Sequence, residues 1–180
     1  MVSAITSLVS IALLLASVAF VGHSALASLH RLADAWEREQ TRMAQTVRSR
    51  LGAVCTSSTG HQVYVVLKNT GEVPLFHFPR WDVFVQYYDT AGTYHQKRLV
   101  YTPGPYLGNN QWTVEGIYIH QENAIPERFQ PTLLDPLEEV KLQFRLSPSA
   151  NTTSANQVVV ATANGVAVST FFTGIDPRCD

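Results

Sequence analysis

The first thirty residues, Met1 to His30, contain no Lys, Arg, Asp or Glu. A charge-free apolar run longer than about 18 residues is a candidate membrane span. Ser, Ala and Gly alternate with Leu, Val, Ile and Phe throughout the run, and small residues at this density let helix backbones approach closely. Three fates compete for such a segment. Ala25-Leu26-Ala27 has the small-x-small form of a signal cleavage site, but no basic region precedes the apolar run. A simple membrane anchor is the second fate, with Arg31, Arg38 and Arg42 following the span and no basic residue before it. The third is one long helix that packs in an assembly.

Residues 29 to 54 favour the third. Leu29, Leu32, Trp36, Met43, Val47, Leu51 and Val54 recur at spacings of three, four or seven, which draws one apolar stripe on a helix. Arg31, Asp34, Glu37, Arg38, Glu39, Arg42, Arg48 and Arg50 fill the other faces, and Asp34 to Arg38 is a favourable i,i+4 pair. No Pro precedes Pro74, and Gly52 is the first stop signal. The expectation is a long hydrophobic helix over residues 1–54. Its packing positions are Leu8, Ala12, Leu15, Ala19, Gly22, Leu26, Leu29, Trp36, Met43 and Val47.

Beyond Thr56 the period changes to two. Residues 61–68, 81–88, 94–101, 111–118, 140–146, 157–162 and 166–173 read as strands. Ala163-Asn164-Gly165 supplies an Asn-Gly hairpin signal, and Pro74 and Pro79 exclude a helix between the first two strands. About seven short strands with no helix between them predict an immunoglobulin-like β-sandwich over residues 55–180, and hence an α+β chain. Cys55 and Cys179 bracket that region. A bond between them would stabilise it by roughly 4 kcal/mol in the chain-entropy view; two free thiols are the competing reading. Asn151-Thr152-Thr153 is a glycosylation sequon.

With 13 basic and 14 acidic residues, the charge balance gives no reason to expect a nucleic-acid partner. No Gly-x-Ser-x-Gly, P-loop, His-Glu-x-x-His or Cys-x-x-Cys occurs. His23, His30, His61, His77, His95 and His120 are scattered without metal-ligand spacing. The expectation is a non-enzyme with no cofactor and no metal. Asp82 and Asp89 are ordinary turn acids with a small prior as cation ligands. Trp81, Tyr87, Tyr88, Tyr101, Tyr106, Trp112 and Tyr118 read as strand core or subunit contacts ahead of a sugar platform.

A charge-free N-terminal helix, an amphipathic extension and an immunoglobulin-like domain together resemble the archaeal flagellins (archaellins) and their relatives, accessory archaellum proteins and type IV pilin-like subunits among them. The segments that carry the resemblance are Leu67 to Leu75, Trp81 to Tyr87, and Val158 to Val166 continuing to Phe171. It implies a precursor held in the membrane, removal of a leader by a prepilin-type peptidase, and transfer of the apolar helix into the core of a helical homopolymer by an archaellum-type motor and assembly machinery. Ile5 stands where bacterial type IV pilins carry Glu, and the two cysteines depart from the archaellin pattern. The leading expectation is therefore an extracellular filament subunit for motility. The alternatives are a membrane-anchored accessory archaellum protein whose β-domain binds the cell envelope, and a secreted or anchored adhesion module.

Overall fold

The computed structural model describes residues 13, 20, 23, 28–40, 43, 47–120 and 125–179. The chain forms two compact units, Met1–Ala44 and Gln45–Asp180. In the first, residues 28–40 form a continuous helix, α1, and Leu13, Phe20 and His23 are also helical. Leu29, Leu32 and Trp36 are exposed on α1, as are Met43 and Val47 beyond it. Among the described residues no helix is long and apolar enough to cross a membrane.

The second unit is built on nine strands: β1 (Leu51–Ser58), β2 (Gln62–Asn69), β3 (Asp82–Tyr88), β4 (Tyr94–Tyr101), β5 (Gln111–His120), β6 (Ile125–Pro126), β7 (Glu139–Arg145), β8 (Asn156–Ala161) and β9 (Ala167–Phe172). They form one sheet in the order β1-β2-β7-β5-β4-β3-β8-β9, with β6 on β5. All pairings are antiparallel except β4 with β5, where Val100 meets Gln111 and Tyr101 meets Trp112. The outer strands β1 and β9 also approach each other. Thr56 Oγ1 donates to Phe171 O at 2.9 Å, and Ser58 N–H donates to Gly174 O at 3.1 Å. The sheet is thus nearly closed on itself, an arrangement that removes most open strand edges.

Two expectations about the fold class are corrected here. The long hydrophobic helix over residues 1–54 is absent among the described residues: the continuous helix is residues 28–40, and strand β1 has begun by Leu51. Leu51 and Val54 fit a helical stripe by spacing, but Leu51 pairs with Asn69 and Val54 is the extra residue of a bulge between Ala53 and Cys55. A bulge shifts the inward-outward alternation by one and so imitates helical spacing over a short window. The immunoglobulin-like sandwich is likewise replaced by a single near-barrel sheet, because the parallel β4–β5 contact joins the two antiparallel halves.

The interior is filled by alternate residues. In β3, Val83, Val85 and Tyr87 are buried, and in β8 so are Val158 and Val160. Trp112 and Phe144 meet across β5 and β7, both without solvent exposure. Leu75, Phe78 and Trp81, from the connection between β2 and β3, close one end of this core. Pro79 confines that connection to a single 3-10 turn, Phe78–Arg80. Strand β2 breaks the alternation: Val65, Val66 and Leu67 are all fully buried. Val66 faces away from the main core and is covered by Cys55 and Cys179, which are joined by a disulfide with Cα atoms 5.8 Å apart.

Candidate functional site: surfaces of the β-domain

The connections group at two ends. The proximal end, where the chain leads into β1, holds residues 48–50, 70–81, 127–138 and 162–166. The distal end holds residues 59–61, 89–93, 146–155 and 173–179.

At the proximal end the incoming chain is clamped. Thr70 N–H donates to Arg50 O at 3.0 Å and Glu72 N–H to Arg48 O at 2.9 Å. Arg48 Nε reaches Glu72 Oε2 at 3.0 Å, and Asn164 Nδ2 reaches Ser49 Oγ at 2.7 Å. Gly71 permits this approach, since a Cβ there would lie 2.5 Å from Arg50 N and 2.6 Å from Arg48 O. Fully buried Asn69 holds the turn from within: its Nδ2 donates to Val73 O at 2.9 Å and Leu134 O at 3.0 Å, while Oδ1 accepts from Gly71 N–H at 3.0 Å. An apolar cleft opens beside the clamp, between residues 73–76 and 162–164.

The outer face of β4-β3-β8-β9 is a second candidate surface. Register places Tyr94, Gln96 and Arg98 of β4 beside Tyr88, Gln86 and Phe84 of β3, and Gln157 and Val159 of β8 on the other side of Gln86 and Phe84. Phe171 completes the row of Gln157. Phe84, Tyr88, Tyr94, Val100 and Phe171 are all exposed. The strand charges on this face are Asp82 and Arg98, and Arg98 Nε bonds Asp82 Oδ1 at 2.9 Å. A face of amides and aromatics with its one ion pair closed internally has the composition of protein–protein contact patches, which are depleted in Lys and Glu.

The outer face of β2-β7-β5 is different. Lys68 Nζ lies 3.1 Å from Glu139 and Lys141 Nζ 3.4 Å from Glu115. Lys141 also sits 4.8 Å from the centre of the Tyr64 ring. The bulge between Val114 and Gly116 turns Glu115 toward Lys141. Burial, then the Glu115 charge, raises the Tyr118 hydroxyl pKa above its ordinary value. These charges are satisfied among themselves and leave little for a ligand.

At the distal end Asp89 is enclosed by donors. Oδ1 accepts from Ala91 N–H at 2.9 Å and Thr93 N–H at 2.8 Å, and Oδ2 lies 2.9 Å from His95 Nε2. The His95 hydrogen bond is the leading cause holding the Asp89 carboxyl below its usual range, followed by Thr93 N–H. Tyr87 stacks near His95 and donates to Pro148 O at 3.0 Å; burial, then the Asp89 charge, raises its hydroxyl pKa. Both Asp82 and Asp89 are therefore committed to protein partners. No group of three metal-ligating side chains occurs among the described residues.

Of the aromatics singled out in the sequence, Trp81, Tyr87 and Trp112 are core, Tyr101 packs against the core, and Tyr88 and Tyr106 are exposed. Asn151 lies in a distal turn, with its Oδ1 accepting from Thr153 N–H at 2.9 Å and Thr153 Oγ1 at 2.7 Å. Of the expected helix-packing positions, Leu8, Ala12, Leu15, Ala19, Gly22 and Leu26 lie outside the described residues. Sequence reasoning missed the clamp. Its residues Asn69, Thr70 and Gly71 lie within the segment Leu67 to Leu75, which carried the resemblance and no reading of a clamp.

No protein-family model matches the chain, and no curated protein matches it. Solved structures do. The fold resembles a stator protein's. The archaellum periplasmic stator protein complex FlaF and FlaG from Sulfolobus acidocaldarius contains a chain that aligns at 21% identity and TM-score 0.50, covering 68% of this chain and 88% of that one. FlaG alone from the same organism aligns at 19% identity and TM-score 0.48, over 69% of this chain and 99% of that one. The archaeal flagellum of Methanospirillum hungatei strain JF1 aligns at 14% and 0.44, over 88% and 89%. At these identities the stator-complex likeness is one of fold alone, and the two lower scores add no weight to it.

Proposed function

We propose that this chain is an accessory protein of an archaellum-type machine, a stator-like β-domain tethered to the cell surface, and not the repeating subunit of the filament. The observation that carries this reading is the likeness of fold to the FlaF–FlaG stator complex. The filament reading took one helix to residue 54, whereas strand β1 has begun by Leu51. The disulfide suits an oxidising location outside the cytoplasm. Under this reading the partners are the archaellum machinery and an envelope protein, and the outer face of β4-β3-β8-β9 is the surface that meets the latter. The role is mechanical, with no catalytic step.

Deletion of the gene, followed by electron microscopy and motility assays, tests the reading. Cells that still carry filaments but no longer swim support it. Loss of the filaments, with this chain the main component of filaments sheared from the wild type, overturns it. Phe84→Asp with Tyr94→Asp should reproduce the swimming defect without lowering the amount of protein.

A further inference from the structure

We propose that Asn151 is the acceptor of an N-linked glycan, presented on the distal turn that leads into β8. The inference does not rest on the accessory role above. It shares with that reading only a location outside the cytoplasm, which the disulfide suits.

The chain has seven asparagines, and Asn151-Thr152-Thr153 is the one place where Asn is followed two residues later by Ser or Thr. The structure separates the asparagines again, by the state of the side-chain nitrogen that would carry the sugar. Asn69 Nδ2 donates to Val73 O and Leu134 O, and Asn156 Nδ2 donates to Asn151 O and Ser154 O. Asn164 Nδ2 donates to Ser49 Oγ. At Asn151 the arrangement is reversed. Its Oδ1 holds both side-chain contacts, accepting from the N–H and the hydroxyl of Thr153, and its Nδ2 has no hydrogen-bond partner among the described residues. An amide held by its oxygen directs its nitrogen away from the turn.

The backbone presents that nitrogen from a fixed support. Asn151 N–H donates to Tyr88 O at 2.7 Å, and Asn151 O accepts from Asn156 Nδ2 at 2.8 Å. Ala150 bridges Asp89, after which residues 151–155 stand outside the ladder until β8 begins at Asn156. None of these five residues is buried. The site lies beside Tyr88, which is itself exposed.

The surrounding sequence gives a glycan something to do. No Lys, Arg, Asp or Glu occurs from Leu146 to Ile175. Charged side chains hydrate most protein surfaces, and a bulky sugar chain would supply that hydration to this uncharged stretch.

The transfer needs a glycan joined through phosphate to a polyprenol, together with a transferase that uses it. Nδ2 forms a bond to the anomeric carbon as the bond between that carbon and the phosphate oxygen breaks. The nitrogen gives up one proton, and the polyprenyl phosphate leaves with the bonding electron pair. No oxidant or reductant takes part.

The test uses the full chain purified from the cells that make it, digested and read by mass spectrometry. The expected result is a peptide spanning Asn151 that is heavier by whole sugar units, with fragment ions placing them on Asn151. Asn151→Gln and, separately, Thr153→Ala should each abolish the added mass, whereas Thr153→Ser should retain part of it. Thr153→Ala keeps the acceptor and the backbone N–H that holds its oxygen, and an intact Cys55–Cys179 bond in the same digest reports that each variant has folded. A wild-type peptide of unmodified mass overturns the proposal. So does added mass that survives Asn151→Gln, which would place the sugar on a threonine hydroxyl. An unmodified chain that cells still require for swimming would overturn this inference and leave the accessory role standing.

Discussion

The two ends of the β-domain are locked by the same device and finished with different surfaces. Each has a buried asparagine bonded to three backbone groups. Asn69 does this at the proximal end; at the distal end Asn156 donates to Asn151 O at 2.8 Å and Ser154 O at 3.1 Å and accepts from Tyr88 N–H at 3.1 Å. Around Asn69 the connections expose Phe76, Phe129 and Leu137; beside Asn156 residues 151–154 are Asn, Thr, Thr and Ser, with the sequon at Asn151, and Ile175 is exposed on the tail after β9. Order is therefore not what distinguishes the ends. An asparagine side chain can replace a missing ladder in either place, which leaves the outward residues free to suit different surroundings.

Four experiments would break or sharpen this comparison. The largest effect belongs to the bond that ties the distal tail to β1. Cys55→Ser with Cys179→Ser should lower unfolding stability by about 4 kcal/mol, read from urea denaturation of residues 45–180. Next, Gly71→Val should cost about 3 kcal/mol, because two backbone atoms occupy the new side chain's place. The distal Gly92→Val should cost only about 1 kcal/mol: its site is open, and the penalty comes from φ 81° alone. Equal losses would mean that the proximal clamp is looser than its distances imply. Third, Asn69→Ala and Asn156→Ala should each cost about 2 kcal/mol by stranding buried backbone groups. Hydrogen exchange should then report local opening only at the mutated end.

The smallest effect is a shift in pH dependence, opposite in sign at the two ends. Distal Asp89 has a depressed pKa, so its contribution is present above the ordinary carboxylate value and is lost as pH falls through the folded value. Proximal Glu138 is raised, first by burial and then by the neighbouring Glu127 and Asp135 carboxylates. Its contribution is present at low pH and is lost as pH rises through the folded value. Glu127, depressed chiefly by Phe129 N–H, opposes Glu138 at the same end, so Glu138→Gln is needed to isolate the effect. His95→Ala should move the Asp89 carboxyl titration upward in NMR and leave that of Glu138 unchanged.

Much of the β-domain is legible in the sequence. Seven strands fall within two residues of their expected limits because runs rich in β-branched and aromatic residues stood between turns marked by Gly or Pro. The missed strands explain themselves. Strand β6 is two residues long, below the length at which a period can be read. Strand β1 hides behind its bulge, which spaced Leu51 and Val54 as a helix would. Closure into one sheet was not legible either, since it depends on the short parallel contact at Val100 and Tyr101, between residues with no local signal. The proximal clamp needed Gly71 to be recognised for the space it leaves, which no local pattern in the sequence reports.

The clamp and the disulfide also bear on force. A pull on Arg48 directed along the axis of β1 would load its bonds to β2 in shear, so that they yield together. Beyond Ala53 the tension reaches Cys55 and divides, one branch passing through a covalent bond to the last turn of the chain. A domain wired in this way resists extraction by its N-terminus. Reduction of a single bond would leave it held by hydrogen bonds alone along that path.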